Sequence, residues 1–193
     1  MSTPRILPAS PPYEAAIAEA FGKIMPPGAE PLQLFRTMAR NPRVLHKMFA
    51  GGLLDRGSIS LREREILILR TTAACGSEYE WGVHVAMFAE RARLTEQEVR
   101  STLEFPADAG AWTVHEHLLL QLADELHRHS KVSDAVWNGL AAHYSEEQLL
   151  EMLAIAGYYH TISFISNAVG LAPETFAARF ASYGQGEMPA IAP

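Results

Sequence analysis

A hydroxyl residue followed three positions later by Glu or Gln recurs along this chain: Ser60-Leu-Arg-Glu63, Ser77-Glu-Tyr-Glu80, Thr95-Glu-Gln-Glu98 and Ser145-Glu-Glu-Gln148. Each is a capping box, in which two side chains satisfy backbone donors that the first turn of a helix leaves free. A chain that opens helices this often, and lacks alternating β-branched runs, is all-α. The breaks agree. Pro26-Pro27-Gly28, Gly51-Gly52, Gly76 and Gly170 each close a helical stretch.

The spacing predicts about nine helices. Candidate helical stretches, ten by their start and stop signals, cover Tyr13–Met25, from Pro31 onward, Pro42–Gly51 behind an Asn41 cap, Leu61–Cys75, Ser77–Arg93, from Thr95, Thr113–His129, Ser133–Tyr144, Glu146–Val169, and from Pro173 to about Tyr183. Four consecutive aliphatics and then Thr-Thr-Ala-Ala-Cys leave the Leu61 helix little polar face, so it belongs at the centre. Residues 1–12, with Pro4, Pro8, Pro11 and Pro12, read as an extended arm, 13–183 as one helical domain and 184–193 as a C-terminal tail.

Composition narrows the function classes. The 193 residues carry 16 Lys+Arg against 22 Asp+Glu, a formal charge of −6, which leaves no basic surplus for phosphates. No signal peptide and no apolar run of about 20 residues is present, so the expectation is a cytoplasmic protein acting on a small molecule, with neither nucleic acid nor membrane as partner. The only cysteine is Cys75, which excludes an intramolecular disulfide and a zinc site built on several thiolates.

The densest polar cluster is Gly76-Ser-Glu-Tyr-Glu-Trp-Gly-Val-His84. On a helix Ser77, Glu80 and His84 share one face, and that face continues into Met87 and Phe88. A carboxylate and an imidazole one turn apart against apolar walls suit general acid–base work. Glu65, embedded beside Ile66-Leu-Ile-Leu69, adds a second carboxylate. The plainer reading is structural: Ser77 and Glu80 as a local cap, His84 as a satisfied core histidine, Glu65 paired with Arg62 or Arg70. Glu80-x-x-x-His84 also offers two metal ligands, but His115-x-His117 and His127-x-His129 point to different faces of their helix, so no metal and no cofactor is assigned. Farther along, His160, Phe164 and Asn167 share a face of a largely apolar helix. They are either cavity wall or a helix–helix contact. Trp81 and Phe88 rank as core first.

The frame Glu65-(11 residues)-Ser-Glu-Tyr-Glu-Trp-Gly-Val-His84, with the Ala-x-x-Ala-x-Leu-Thr-x-x-Glu-Val that follows its helix, resembles the carboxymuconolactone decarboxylase and AhpD-like alkylhydroperoxidase family over about residues 61–100. The resemblance implies a two-lobed AhpD-like helical fold and a homotrimer or homohexamer. It makes His84 the motif histidine and Glu65 the upstream glutamate of a proton relay. Tyr79 falls where some redox members keep a relay histidine. Ser77 and Glu80 occupy the two positions that redox members fill with Cys-x-x-Cys, and a hydroxyl cannot cycle through sulfenic acid and disulfide.

The expectation is therefore a decarboxylase-like enzyme doing cofactor-free acid–base chemistry on a small carboxylate or aromatic-derived molecule: decarboxylation, lactone opening or isomerisation. His84, Glu80, Glu65 and Ser77 would be catalytic, and Tyr79, His160, Asn167, Trp81 and Phe88 substrate-binding. Two alternatives stand beside it. One is a peroxidase using Cys75 with an external thiol, and the other a non-catalytic binding or assembly protein.

Overall fold

The protein is described by a computed structural model covering residues 3–184. Among these residues nine α-helices account for the regular structure, with no strand. The helices are α1 Ala15–Ile24, α2 Gln33–Met38, α3 Pro42–Gly51, α4 Leu61–Ala74, α5 Glu78–Phe88, α6 Glu96–Ser101, α7 Val114–His129, α8 Asp134–Ala141 and α9 Glu146–Val169.

Helix α4 is the axis of the molecule, packed on α5, α7 and α9. Its capping box forms on both sides, Ser60 Oγ accepting from the Glu63 amide and Glu63 from the Ser60 amide. From Arg64 to Ala74 every residue is buried. The buried Arg70 survives there because its charge is fully used. It grips Asp124 of α7 with two bonds of 2.6 and 2.7 Å and donates to the Thr102 and Glu104 carbonyls. A buried ion is tolerated only when paired and saturated in this way.

Gly76, at φ +62°, ends α4 with the Gly76 amide on Ala73 O and the Ser77 amide on Thr72 O. That is a Schellman turn, and it reverses the chain directly into α5. Gly170 closes α9 in the same way.

Two expected elements differ. Helix α5 stops at Phe88, because the chain turns through residues 89–93 and Arg93 adopts φ +55°. The helix expected from Pro173 does not form. Residues 171–179 run irregularly, with only a short 3₁₀ turn at Phe180–Tyr183. Tertiary contacts claim this backbone instead. Ala178 N donates to Gly82 O at 3.1 Å, Phe180 N donates to Glu78, and Glu174 accepts from the Gln33 amide. Gly82 permits the crossing: a Cβ there would lie 2.1 Å from the Ala178 carbonyl oxygen.

Arm residues 5–9 lie along their own chain, Arg5 N on Val169 O and Ala9 N on Arg36 O. The expected tail, 184–193, falls outside the described residues apart from Gly184.

Candidate active site

Helix α5 meets α4 and α9 edge to edge, and His84 stands where they meet. Its Nδ1–H donates to Glu65 Oε2 of α4 at 2.7 Å, and its Nε2 lies 3.4 Å from Glu80 Oε1, one turn back on α5. Glu65 is held from the other side by Arg64 Nε at 3.1 Å. Tyr159 of α9 meets the imidazole edge-on at 5.0 Å, and Phe88 lies tilted over it at 5.1 Å. Arg62 and Arg70, the partners considered for Glu65, are committed elsewhere: Arg62 to Glu98 and Glu116, Arg70 to Asp124.

Burial disfavours charge on His84, but the Glu65 and Glu80 carboxylates outweigh it and raise the imidazole pKa to about 9. At neutral pH it is therefore an imidazolium with both nitrogens facing carboxylates. One atom of the set is left over. Glu80 Oε2 is buried with no hydrogen-bond partner, a costly state for a carboxylate oxygen.

Glu80 and His84 form part of the wall of a cavity of about 560 Å³. Helix α5 contributes Val83, Met87 and Phe88 besides, α9 contributes Tyr158, Tyr159 and Ile162, and the N-terminal helices close it with Leu34, Phe35, Met38 and Phe49. Its lining includes the exposed Lys23, Asp55 and Met87, so it opens to the surface. Glu65 sits behind His84, outside the lining. Burial, and then nearness to Glu80, raise the Tyr158 hydroxyl to about 12, and it donates to the Met48 carbonyl at 2.8 Å.

The other candidates lie elsewhere. Ser77 is buried but makes no cap. It is already the last residue of the Schellman turn, and its hydroxyl donates to Ser166 Oγ of α9 at 2.9 Å while Ser166 donates to Ser163 O. The capping account of Ser77-x-x-Glu80 therefore does not hold: Ser77 bonds across to α9, and Glu80 pairs with His84 on its own helix. Tyr79 is tied into the core, donating to Glu174 at 2.6 Å and accepting from the Leu34 amide. Trp81 is fully buried against Phe180 and Tyr183, with Nε1 donating to Thr102. His160 and Asn167 lie on the opposite side of the α4–α9 contact, beside Cys75. Cys75 is half-buried and outside the cavity. Burial pushes its thiol up to about 11, so it is not a thiolate at neutral pH.

Sequence reasoning missed Tyr158, Tyr159 and the N-terminal wall. The Tyr158-Tyr159 pair was visible as aromatic bulk, but nothing local says that Tyr159 rather than His160 faces His84. Phe35, Met38 and Phe49 carry no signal beyond ordinary helical spacing.

Residues 42–124 match the Carboxymuconolactone decarboxylase family. No curated relative matches the sequence. Among solved structures, the chain is similar to the alkylhydroperoxidase AhpD core of an uncharacterized peroxidase-related protein from Ralstonia eutropha. They share 18% identity at a TM-score of 0.72, over 90% of this chain and 95% of that one. An uncharacterized peroxidase-related protein from Silicibacter sp. gives 16%, 0.74, 96% and 98% in the same order. The debrominase Bmp8 in complex with 2,3,4-tribromopyrrole gives 18%, 0.66, 91% and 94%. At these identities the likeness is one of fold. With a match to that family over 42–124 and an AhpD-like architecture across the described residues, the chain, which carries a single cysteine, is similar to carboxymuconolactone decarboxylase family proteins.

Proposed function

We propose that the protein is a cofactor-free acid–base enzyme acting on a small apolar organic molecule, aromatic or lactone-like, in the cavity at His84. The observation that carries the proposal is the buried, unpartnered Glu80 Oε2 beside an imidazolium in the cavity wall that is hydrogen-bonded to Glu65 and ion-paired with Glu80. Glu80 is the base that meets the substrate. His84 stabilises its charge and returns the proton through Nε2. Glu65 holds the ring by Nδ1, which is the logic of a base oriented by a second carboxylate. Phe35, Phe49, Phe88 and Tyr159 suit a planar ring. Decarboxylation, lactone opening and proton-shift isomerisation all need this equipment. The bound molecule of the fold neighbour Bmp8, a halogenated pyrrole, is also a small aromatic ring.

The position of Cys75 speaks against a peroxidase reading. The thiol is outside the cavity and protonated, with no second cysteine to resolve a sulfenic acid.

A homo-oligomer is part of the proposal. Its support is an exposed seam on α9, where Leu150, Ala154, Gly157, Thr161, Phe164 and Ala168 follow a three-four spacing and all face outward. That is the pattern by which a helix packs on a copy of itself.

The test is a panel of aromatic acids, phenols and lactones assayed with wild type, Glu80→Gln and His84→Gln. A panel member should turn over in the wild type, with each variant slower by about 10²–10⁴-fold. Turnover that survives both substitutions, or ligands that bind without ever being converted, would refute the enzyme reading.

A further inference from the structure

Three ligand-type side chains converge at the end of α4 opposite the cavity, and none of them lines it. Cys75 is the C-cap of α4, His127 lies in the last turn of α7, and His160 lies in the middle of α9. Cys75 Sγ is 3.7 Å from His127 Nδ1, and His127 Nδ1 is 3.1 Å from His160 Nε2. The three atoms lie within 4.8 Å of one another. We propose that Cys75, His127 and His160 form a binding site for a zinc-class divalent metal ion, with a fourth position left to water.

The geometry is close to what such an ion requires. Bonds of about 2.3 Å to sulfur and 2.0–2.1 Å to nitrogen separate tetrahedral ligand atoms by roughly 3.3–3.6 Å. The Cys75–His127 and His127–His160 separations fall within a few tenths of an ångström of those values, and Cys75 and His160 lie within 4.8 Å of each other. One thiolate and two imidazoles form a mixed soft and borderline set, which favours zinc over magnesium or calcium.

The surroundings are built to hold it. His160 Nδ1–H donates to the Ala156 carbonyl at 2.8 Å, which fixes the tautomer and aims the Nε2 lone pair at the cluster. Asn167 Nδ2 donates to Cys75 O at 2.8 Å and pins the cysteine backbone. The His127 and His160 rings stack at 26°. All three residues are half-buried, which leaves an entry path. On binding, the thiol loses its proton to solvent and its sulfur bonds the metal. His127 carries its remaining proton on Nε2 and His160 keeps its own on Nδ1, so one proton is released per ion. The oxidation state of no atom changes.

The test is metal binding by the full chain under a non-chelating phosphine reductant, read without any activity assay. Zn²⁺ competition against a chromophoric chelator should give one site per chain. Co²⁺ should give the visible bands of a tetrahedral ion and a near-ultraviolet thiolate charge-transfer band. Cys75→Ser should abolish the charge-transfer band, and His127→Ala should weaken Zn²⁺ binding by roughly 100-fold or more. X-ray absorption of the zinc form should show one sulfur and two imidazole nitrogens. Failure of the wild type to compete for zinc, a cobalt spectrum unchanged in Cys75→Ser, or a shell without sulfur overturns the site. Glu80→Gln should bind metal as the wild type does, so loss of the acid–base reading leaves this result intact.

Discussion

His84 stores a pH dependence in a single ring. Its pKa is raised from the ordinary 6.5 to about 9, against burial, by Glu65 and Glu80. The folded state then binds a proton that the unfolded chain gives up between those values. The stabilisation is complete below about pH 6.5 and is lost as pH rises through about 9, a change of order 3 kcal/mol. Urea titrations of wild type and His84→Gln across pH 6–10 should show this slope in the wild type and its disappearance in the variant. Equal slopes would mean that the pair of carboxylates does not hold the proton.

The Glu80 and His84 pairing could be read from the sequence, because residues four apart on a helix must meet. Ser77 could not, since its bond to Ser166 spans 89 positions and outcompetes the local cap. Cys75, His127 and His160 are separated by 52 and 33 residues, and no spacing rule reaches across three helices.

At the level of elements, helix starts were the legible part. Six of the nine form where a hydroxyl or Asn41 accepts from the amide three residues on, and α9 runs over the expected Glu146–Val169. What the sequence hid was a helix that did not form. Pro173 is a sound N-terminal signal, yet segment 171–179 gains more from Gly82, Glu78, Tyr79 and Gln33 than from its own hydrogen bonds. Gly82→Ala should test that balance. Its Cβ would meet a backbone oxygen that cannot rotate away, so we expect a loss of about 2 kcal/mol. Amide exchange at residues 174–181 should quicken more than in α4 or α7. Unchanged stability would show that the crossing can shift at little cost.

At the scale of the whole molecule, the core is assembled around α4, and the cavity lies between that core and the N-terminal helices. The fold class followed from capping and periodicity. The cavity did not, because its far wall comes from Phe35 and Phe49, which reach α5 only after the chain has folded. The outward seam of α9 predicts assembly. Phe164, 65% exposed, lies on it, and Phe164→Glu should move the sedimentation coefficient to that of a monomer while helicity is retained. A wild type that already sediments as a monomer at micromolar concentration removes the assembly.

No helix among the described residues is long and apolar enough to cross a membrane. The crossing at Gly82 also bears on how relatives should be compared. A homologue with a side chain at this position has no room for the same C-terminal path. Its residues after α9 must then run elsewhere, and aligning them here column by column would equate segments that occupy different space. The residue at position 82, rather than overall identity, then tells whether a relative has room for this C-terminal route.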